Sequence, residues 1–177
     1  MLEIYVPISQ EEWDEINEVF IPPKTVKLQL EHSLISLQKW ESKWHKPFFS
    51  KAEKSSEETI DYIKCMTLTQ NVNPEIYDLL SESNVDDIQK YIGDPMTATT
   101  FSDKNSGKGS REIVTAELVY YWMLSLNIPF ECRKWHINQL LTLIRVCNVK
   151  NEPPKKRSKA DLINHHRAVN AARRKKQ

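Results

Sequence analysis

The chain has 177 residues, 40 % hydrophobic and 28 % charged, which suits one domain with a real core and excludes a disordered chain. No apolar run approaches the roughly 20 residues that span a bilayer, so a membrane-spanning helix is excluded as well. The net charge of +1 hides an asymmetry: residues 150–177 hold ten Lys/Arg against Glu152 and Asp161, leaving +8 there and −7 for residues 1–149.

In chain order, Leu2-Glu-Ile-Tyr-Val alternates apolar and polar residues and predicts a short strand, ended by Pro7. Trp13 to Ile21 fits a hairpin or a single helical turn, and Pro22-Pro23 breaks either. From Lys24 the alternation resumes, with Val26, Leu28 and Leu30 on one face. Residues 1–30 therefore predict a small antiparallel sheet. Across residues 31–93 the period becomes helical. Leu34, Leu37, Trp40, Glu41 and Trp44 share a face, and Pro47 closes the segment. A second helix starts at Ser55-Ser56-Glu57-Glu58 and runs through Ile60, Ile63 and Met66 to about Leu68. Asn73-Pro74 opens a short one that buries Ile76, Leu79 and Leu80. Asn84 is read as the cap of a third, with Val85, Ile88 and Ile92 apolar and Gly93 at its stop.

Residues 94–110 predict a flexible polar loop, with Pro95 and two of the three glycines, Gly107 and Gly109. Residues 111–148 are the densest apolar stretch and predict a helical hairpin at the centre of the core. Its first helix offers Ile113, Val114, Leu118, Tyr121, Trp122 and Leu126. Its second offers Ile137, Leu140, Leu141, Ile144 and Cys147 at i, i+3, i+4, i+7, i+10. Pro129 breaks the chain between them. Pro153-Pro154 then leads into the basic end, where Ser158 and Asp161 resemble a capping box for a final helix over residues 159–174. The fold class read from this is mainly α (α+β): a small N-terminal antiparallel β-sheet, then a helical domain centred on a helical hairpin. One globular domain takes residues 1–149, and residues 150–177 form a basic C-terminal helix or tail.

For chemistry the residues give little. The three cysteines lack the spacing of a disulfide framework and fit a reducing cytosol. No basic flank precedes an apolar run at the start, so no secretory signal is read. Ser106-Gly-Lys-Gly-Ser110 is not a phosphate loop, because no buried strand precedes it and Gly-Lys-Ser/Thr is missing. Cys132, His136 and Cys147 lack the paired spacing of a zinc site. Catalysis by Cys132 would need a third group to orient His136. Glu57, Glu58 and Asp61 read as a solvated helix face. The chain is thus read as non-catalytic, without cofactor or metal.

Candidate partner-binding residues fall in two places. Trp40 and Trp44, four apart, project from one helix face and either pack into the core or form an aromatic patch for a partner. Lys155, Lys156, Arg157, Lys159, Arg167, Arg173 and Arg174 make the basic end, which fits an acidic protein surface or nucleic-acid phosphates. No aromatic residue follows Trp135 to stack on bases.

Several stretches carry a resemblance. They are Leu30-Glu-His-Ser-Leu-Ile-Ser-Leu-Gln-Lys-Trp-Glu-Ser-Lys-Trp44 with Lys46-Pro-Phe48, Asp61-Tyr-Ile-Lys-Cys-Met66 and Asp94-Pro-Met-Thr-Ala-Thr-Thr100. To these are added Ile128-Pro-Phe-Glu-Cys, Trp135-His136 and Leu143-Ile-Arg-Val-Cys147. Together they resemble tail assembly chaperones, small proteins encoded in the structural gene cluster of long-tailed bacteriophages. The likeness covers most of the chain from about Leu28 onward, and none of its motifs is an active site. It implies a protein that keeps the helical tape measure protein soluble while the tail tube polymerises, self-associates along that client, and works in the bacterial cytoplasm, absent from the finished virion. It carries over no binding residue. The other reading is a nucleic-acid-binding or virion structural protein that uses the basic tail on phosphates.

Overall fold

The computed structural model describes residues 1–9, 12–14, 18–101, 113–151, 163, 164, 167 and 174. The chain divides into two units, Met1–Cys147 and Asn148–Gln177, where the sequence reading placed the boundary at 149/150. The fold is mainly helical with a small antiparallel sheet at its start.

In the first unit, β1 (Leu2–Pro7) pairs antiparallel with β4 (Thr25–Leu30), in the register Leu2↔Leu30, Ile4↔Leu28 and Val6↔Val26. Alternation decides the faces: Ile4, Val6, Leu28 and Leu30 are buried, while Glu3 and Lys27 pair on the outside at 2.8 Å. The ambiguous stretch between them is a hairpin, β2 (Glu12–Asp14) against β3 (Val19–Ile21), so residues 2–30 form two separate two-stranded ladders rather than one sheet. Its cross-strand pair Trp13–Phe20 meets edge-to-face at 4.7 Å.

The α-helices bounded within the described residues are α1 (Leu34–Trp44), α2 (Ser56–Met66), α3 (Glu82–Gly93), α4 (Ala116–Ser125) and α5 (Ile137–Asn151). Short 3-10 helices at Pro74–Leu79 and Phe130–Lys134 join them. Ser33 caps α1 and Ser55 caps α2, each in a reciprocal capping box with the residue three positions on, Ser36 and Glu58. The cap of α3 is Ser81, not Asn84. The Ser81 hydroxyl accepts the Asn84 N–H at 3.2 Å, and Asn84 itself is buried, reaching the Tyr5 carbonyl at 3.4 Å. Gly93 ends α3 without a left-handed turn, since no glycine in the described residues has positive φ.

The core is centred on α1 rather than on the 111–148 segment. α1 packs against α2, α4 and the Phe130–Lys134 turn, and buries Leu34, Leu37 and Trp40. α4 and α5 both contribute to the same core, through Ala116, Val119 and Met123 and through Ile137, Leu140 and Ile144. The second face matches the periodicity, with Leu141 and Cys147 half-buried. The first is rotated. Ile113 and Tyr121, expected inside, are exposed, because α1 takes the 116/119/123 side of α4.

Two polar devices hold α1 in place. Buried Glu41 accepts the Phe48 N–H and the Ala116 N–H, both at 2.7 Å, and so ties the loop after α1 and the first turn of α4 to one carboxylate. At the other end, residues 29–33 form a junction. The Gln29 carbonyl accepts the Leu68 N–H at 2.8 Å, Glu31 N–H donates to the Met66 carbonyl at 2.9 Å, and the His32 carbonyl accepts the Ile137 N–H at 2.7 Å. The His32 ring sits inside, hydrogen-bonded to the Tyr62 hydroxyl and 5.0 Å from the His136 ring. His136 donates from Nε2 to the Tyr91 carbonyl at 3.0 Å, while its Nδ1 accepts the Asn138 N–H at 3.3 Å. That arrangement describes a neutral imidazole. Burial, then the nearness of the His136 imidazole, since two charged rings there would repel, pulls the His32 pKa from 6.5 down to about 3. Burial lowers His136 as well.

In the second unit the described residues Ile163, Asn164, Arg167 and Arg174 are helical and exposed. The remainder of the expected final helix, and residues 102–110 of the expected loop, lie outside the described residues.

Glu41→Ala leaves two buried N–H groups without acceptors, each worth about 1.5–3 kcal/mol when the acceptor is charged, so urea unfolding should show a loss of about 3 kcal/mol or more. Glu41→Gln keeps an oxygen acceptor and is expected to lose less.

The buried imidazoles predict acid sensitivity. The folded pKa of His32 lies below its unfolded value, so its contribution is fully present above pH 6.5 and is lost as pH falls toward 3, because only the unfolded chain takes up the proton. Between pH 7 and pH 5 the loss should be about 2 kcal/mol from His32 alone, with His136 acting in the same direction. Unfolding curves of His32→Gln should show a shallower pH slope across that window. An unchanged slope would assign the effect elsewhere.

Candidate partner-binding surface

Trp40 is a core residue. It is 1 % exposed, its indole N–H donates to the Glu58 carbonyl at 2.9 Å, and its ring meets Phe48 at 5.4 Å and Tyr62 at 6.4 Å. Trp44 is half-buried and donates to the Asp61 carboxylate at 2.9 Å. Burial pushes the Asp61 pKa up, but hydrogen bonds from Lys43 and Trp44 and the charges of Lys43 and Lys64 outweigh it, so Asp61 titrates below its ordinary value. The two indoles therefore lock α1 onto α2, and Trp40 offers no face to a partner. Glu58 is likewise not solvated. It is buried, bonded to the Ser55 N–H at 3.0 Å and paired with Lys46 at 2.5 Å.

Of the basic candidates, Lys155, Lys156, Arg157, Lys159 and Arg173 lie outside the described residues. Arg167 and Arg174 are exposed and helical.

The exposed apolar surface lies where periodicity alone did not place it. In α4, eight of the ten residues are apolar or aromatic. A helix apolar on every side is normally buried all round. Here Tyr121 is 63 % exposed and Leu124 is 68 % exposed, with Ile113 exposed just ahead of the helix. Beside them Tyr120 stacks on half-exposed Phe130 at 5.6 Å, and the Arg133 guanidinium lies 4.5 Å from the Phe130 ring. A second exposed pair, Trp13 and Phe20, stands on the β2–β3 hairpin. Exposed large apolar groups grouped in this way mark contact surfaces more often than scattered ones do. The signal in the sequence was the absence of a polar side to α4, which shows that a face is left over without showing which.

Catalytic groupings are weak. Burial raises the pKa of the Cys132 thiol, the opposite of activation. Both His136 ring nitrogens are occupied by the backbone. Among the described residues no group of three or more His, Cys, Asp or Glu is placed to hold a metal ion, and no helix is long and apolar enough to cross a membrane. No family model, no curated protein and no solved structure matches the chain.

Placing Trp40 inside and Tyr121 outside separates two substitutions. Trp40→Ala should cost about 3–5 kcal/mol in chemical denaturation, whereas Tyr121→Ser should stay within about 0.5 kcal/mol. The reverse order would return Trp40 to the surface.

Proposed function

We propose that the protein is a non-catalytic assembly factor that holds a structural-protein client, the tape measure protein of a phage tail, while the tail is built. One observation carries the reading most directly: α4 keeps an uncovered apolar side with Tyr121 and Leu124 exposed beside Phe130, a surface that fits the apolar face of an amphipathic helix. The resemblance of residues 30–48, 61–66, 94–100 and 128–147 to tail assembly chaperones supports the same client. A helical tape measure protein without its tube exposes apolar stripes in water, and a binder with a matching strip lowers that exposure. Self-association along the client and work in the host cytoplasm belong to this proposal.

A second reading rests on exposed Arg167 and Arg174 together with the lysines and arginines around them in sequence. It makes the basic end a phosphate binder, and the protein a nucleic-acid-binding or virion component. Duplex DNA binding at two salt concentrations separates the two. Tight binding that falls steeply with salt favours phosphates; weak binding at both leaves the protein client.

The direct experiment is co-expression of the full chain with the tape measure protein from the same gene cluster. The client should become soluble with the wild-type chain and return to the pellet with the double variant Tyr121→Asp, Leu124→Asp, whose own unfolding curve stays close to wild type. Client solubility that is the same with and without the chain overturns the proposal.

A further inference from the structure

Between α2 and α3 the structure leaves a cleft at the edge of the core, walled in part by the core residues Phe48, Tyr62, Ile63 and Ile88 and using no residue of α4. Its inner part is a chamber of about 90 Å³ walled by Phe48, Tyr62, Ile63, Val85, Ile88 and Ile92. It shares Lys54, Thr59, Ile63 and Val85 with a wider vestibule of about 460 Å³, which adds Ile60 and Leu80. The two adjoin through these shared residues; the chamber is apolar apart from Lys54, Thr59 and Gln89, and the vestibule adds the polar groups of Ser56, Tyr77 and Asp78. Pockets of this kind, an apolar body with few polar groups, are how proteins hold small ligands.

The polar group that faces this cleft without a carboxylate of its own is Lys54. Its ammonium lies 4.4 Å from the Phe48 ring centre and 5.8 Å from that of Trp40, held over ring faces by cation–π attraction. Lys54 is half-buried, and among the described residues it belongs to no ion pair. Glu58 feels its charge, but the Glu58 oxygens are engaged by Lys46 at 2.5 Å and the Ser55 N–H at 3.0 Å. The Thr59 hydroxyl is turned to the Ser55 carbonyl at 3.0 Å. Asp78 also lines the vestibule, so an incoming anion is directed toward Lys54 and away from Asp78.

The geometry points to a binding site for a small apolar monocarboxylate, its hydrocarbon tail running from the α2–α3 chamber, which is too small for a seven-carbon tail alone, into the adjoining vestibule, and its carboxylate on the Lys54 ammonium, which lines both. The cation selects the head group and the chamber selects the tail. A half-buried ammonium already stripped of part of its water loses little more on pairing, which favours a carboxylate over a hydroxyl at that point. The site is independent of the client-binding reading, since it uses no residue of α4.

The test is titration of the full chain with octanoate, followed by the methyl resonances of Ile63, Val85 and Ile88. Saturable shifts are expected. Octanol should bind roughly tenfold more weakly, and hexanoate should lose roughly fourfold per methylene removed. Lys54→Gln, a rim substitution, should bring octanoate down to the octanol level while leaving octanol unchanged. Val85→Trp, which fills the chamber, should abolish both. The proposal is overturned if millimolar octanoate moves none of these methyls, if octanol binds as tightly as octanoate to the wild-type chain, or if chain length makes no difference. Octanoate binding to a folded Val85→Trp variant at wild-type strength would also overturn it, as an ion pair at the surface alone.

Discussion

The fold depends on the five residues where β4 becomes α1. A strand end and a helix start both carry backbone groups with no partner in their own element, and burying them unpaired is costly. Here those groups are met from three directions: Leu68 and Met66 at the end of α2, Ile137 at the start of α5, and the Ser33/Ser36 capping box within α1. The side chains repeat the pattern. Glu31 takes the Tyr91 hydroxyl at 2.7 Å and the N-terminal ammonium at 3.0 Å, while His32 meets Tyr62 and His136. Sheet, α1, α2, α3 and α5 are thus fixed to one another through a polar seam that runs inside an apolar core. Such a seam stabilises only when every member is satisfied, and no buried side-chain nitrogen or oxygen among the described residues lacks a partner.

That seam explains why α1 became the centre. With its start held by the junction and its Glu41 carboxylate fixed to the loop at Phe48 and the first turn of α4, α1 has no freedom to shift. α2 then closes over Trp40 and Trp44 through Glu58 and Asp61. α4 lies on α1 by Ala116, Val119 and Met123, which leaves Tyr121 and Leu124 outward. The exposed α4 surface is therefore a consequence of how the core is fixed, and Ile60 and Val85 both line the α2–α3 cleft.

Much of this was legible in the residues. Alternation gave both long strands and their faces, Ser55 and Asn73-Pro74 marked the starts they in fact make, and the spacing of Ile137, Leu140 and Ile144 found the inner side of α5. What failed to show has a common cause. Trp40 and Trp44 look the same in sequence whether they fill a core or face a partner, and only the acceptors on α2 decide. α4 has apolar residues at every angle, so its period carries no direction. Ser81 and Asn84 are both good caps, and the choice fell to Ser81 because Asn84 is needed against Tyr5. Glu41, His32 and His136 are polar residues on buried faces, and each has a partner far along the chain, Ala116, Tyr62 and Tyr91, that no local window contains.

The central claim is that the junction at residues 29–33 is the last part of the molecule to open. Amide hydrogen exchange tests it residue by residue, because protection reports the free energy of the opening that exposes each N–H. The Glu31, Leu68 and Ile137 amides should exchange at a rate set by global unfolding, far more slowly than the Phe20 amide in the β2–β3 hairpin. Exchange of Glu31 and Ile137 at hairpin-like rates, with the rest of the core still protected, would contradict the account.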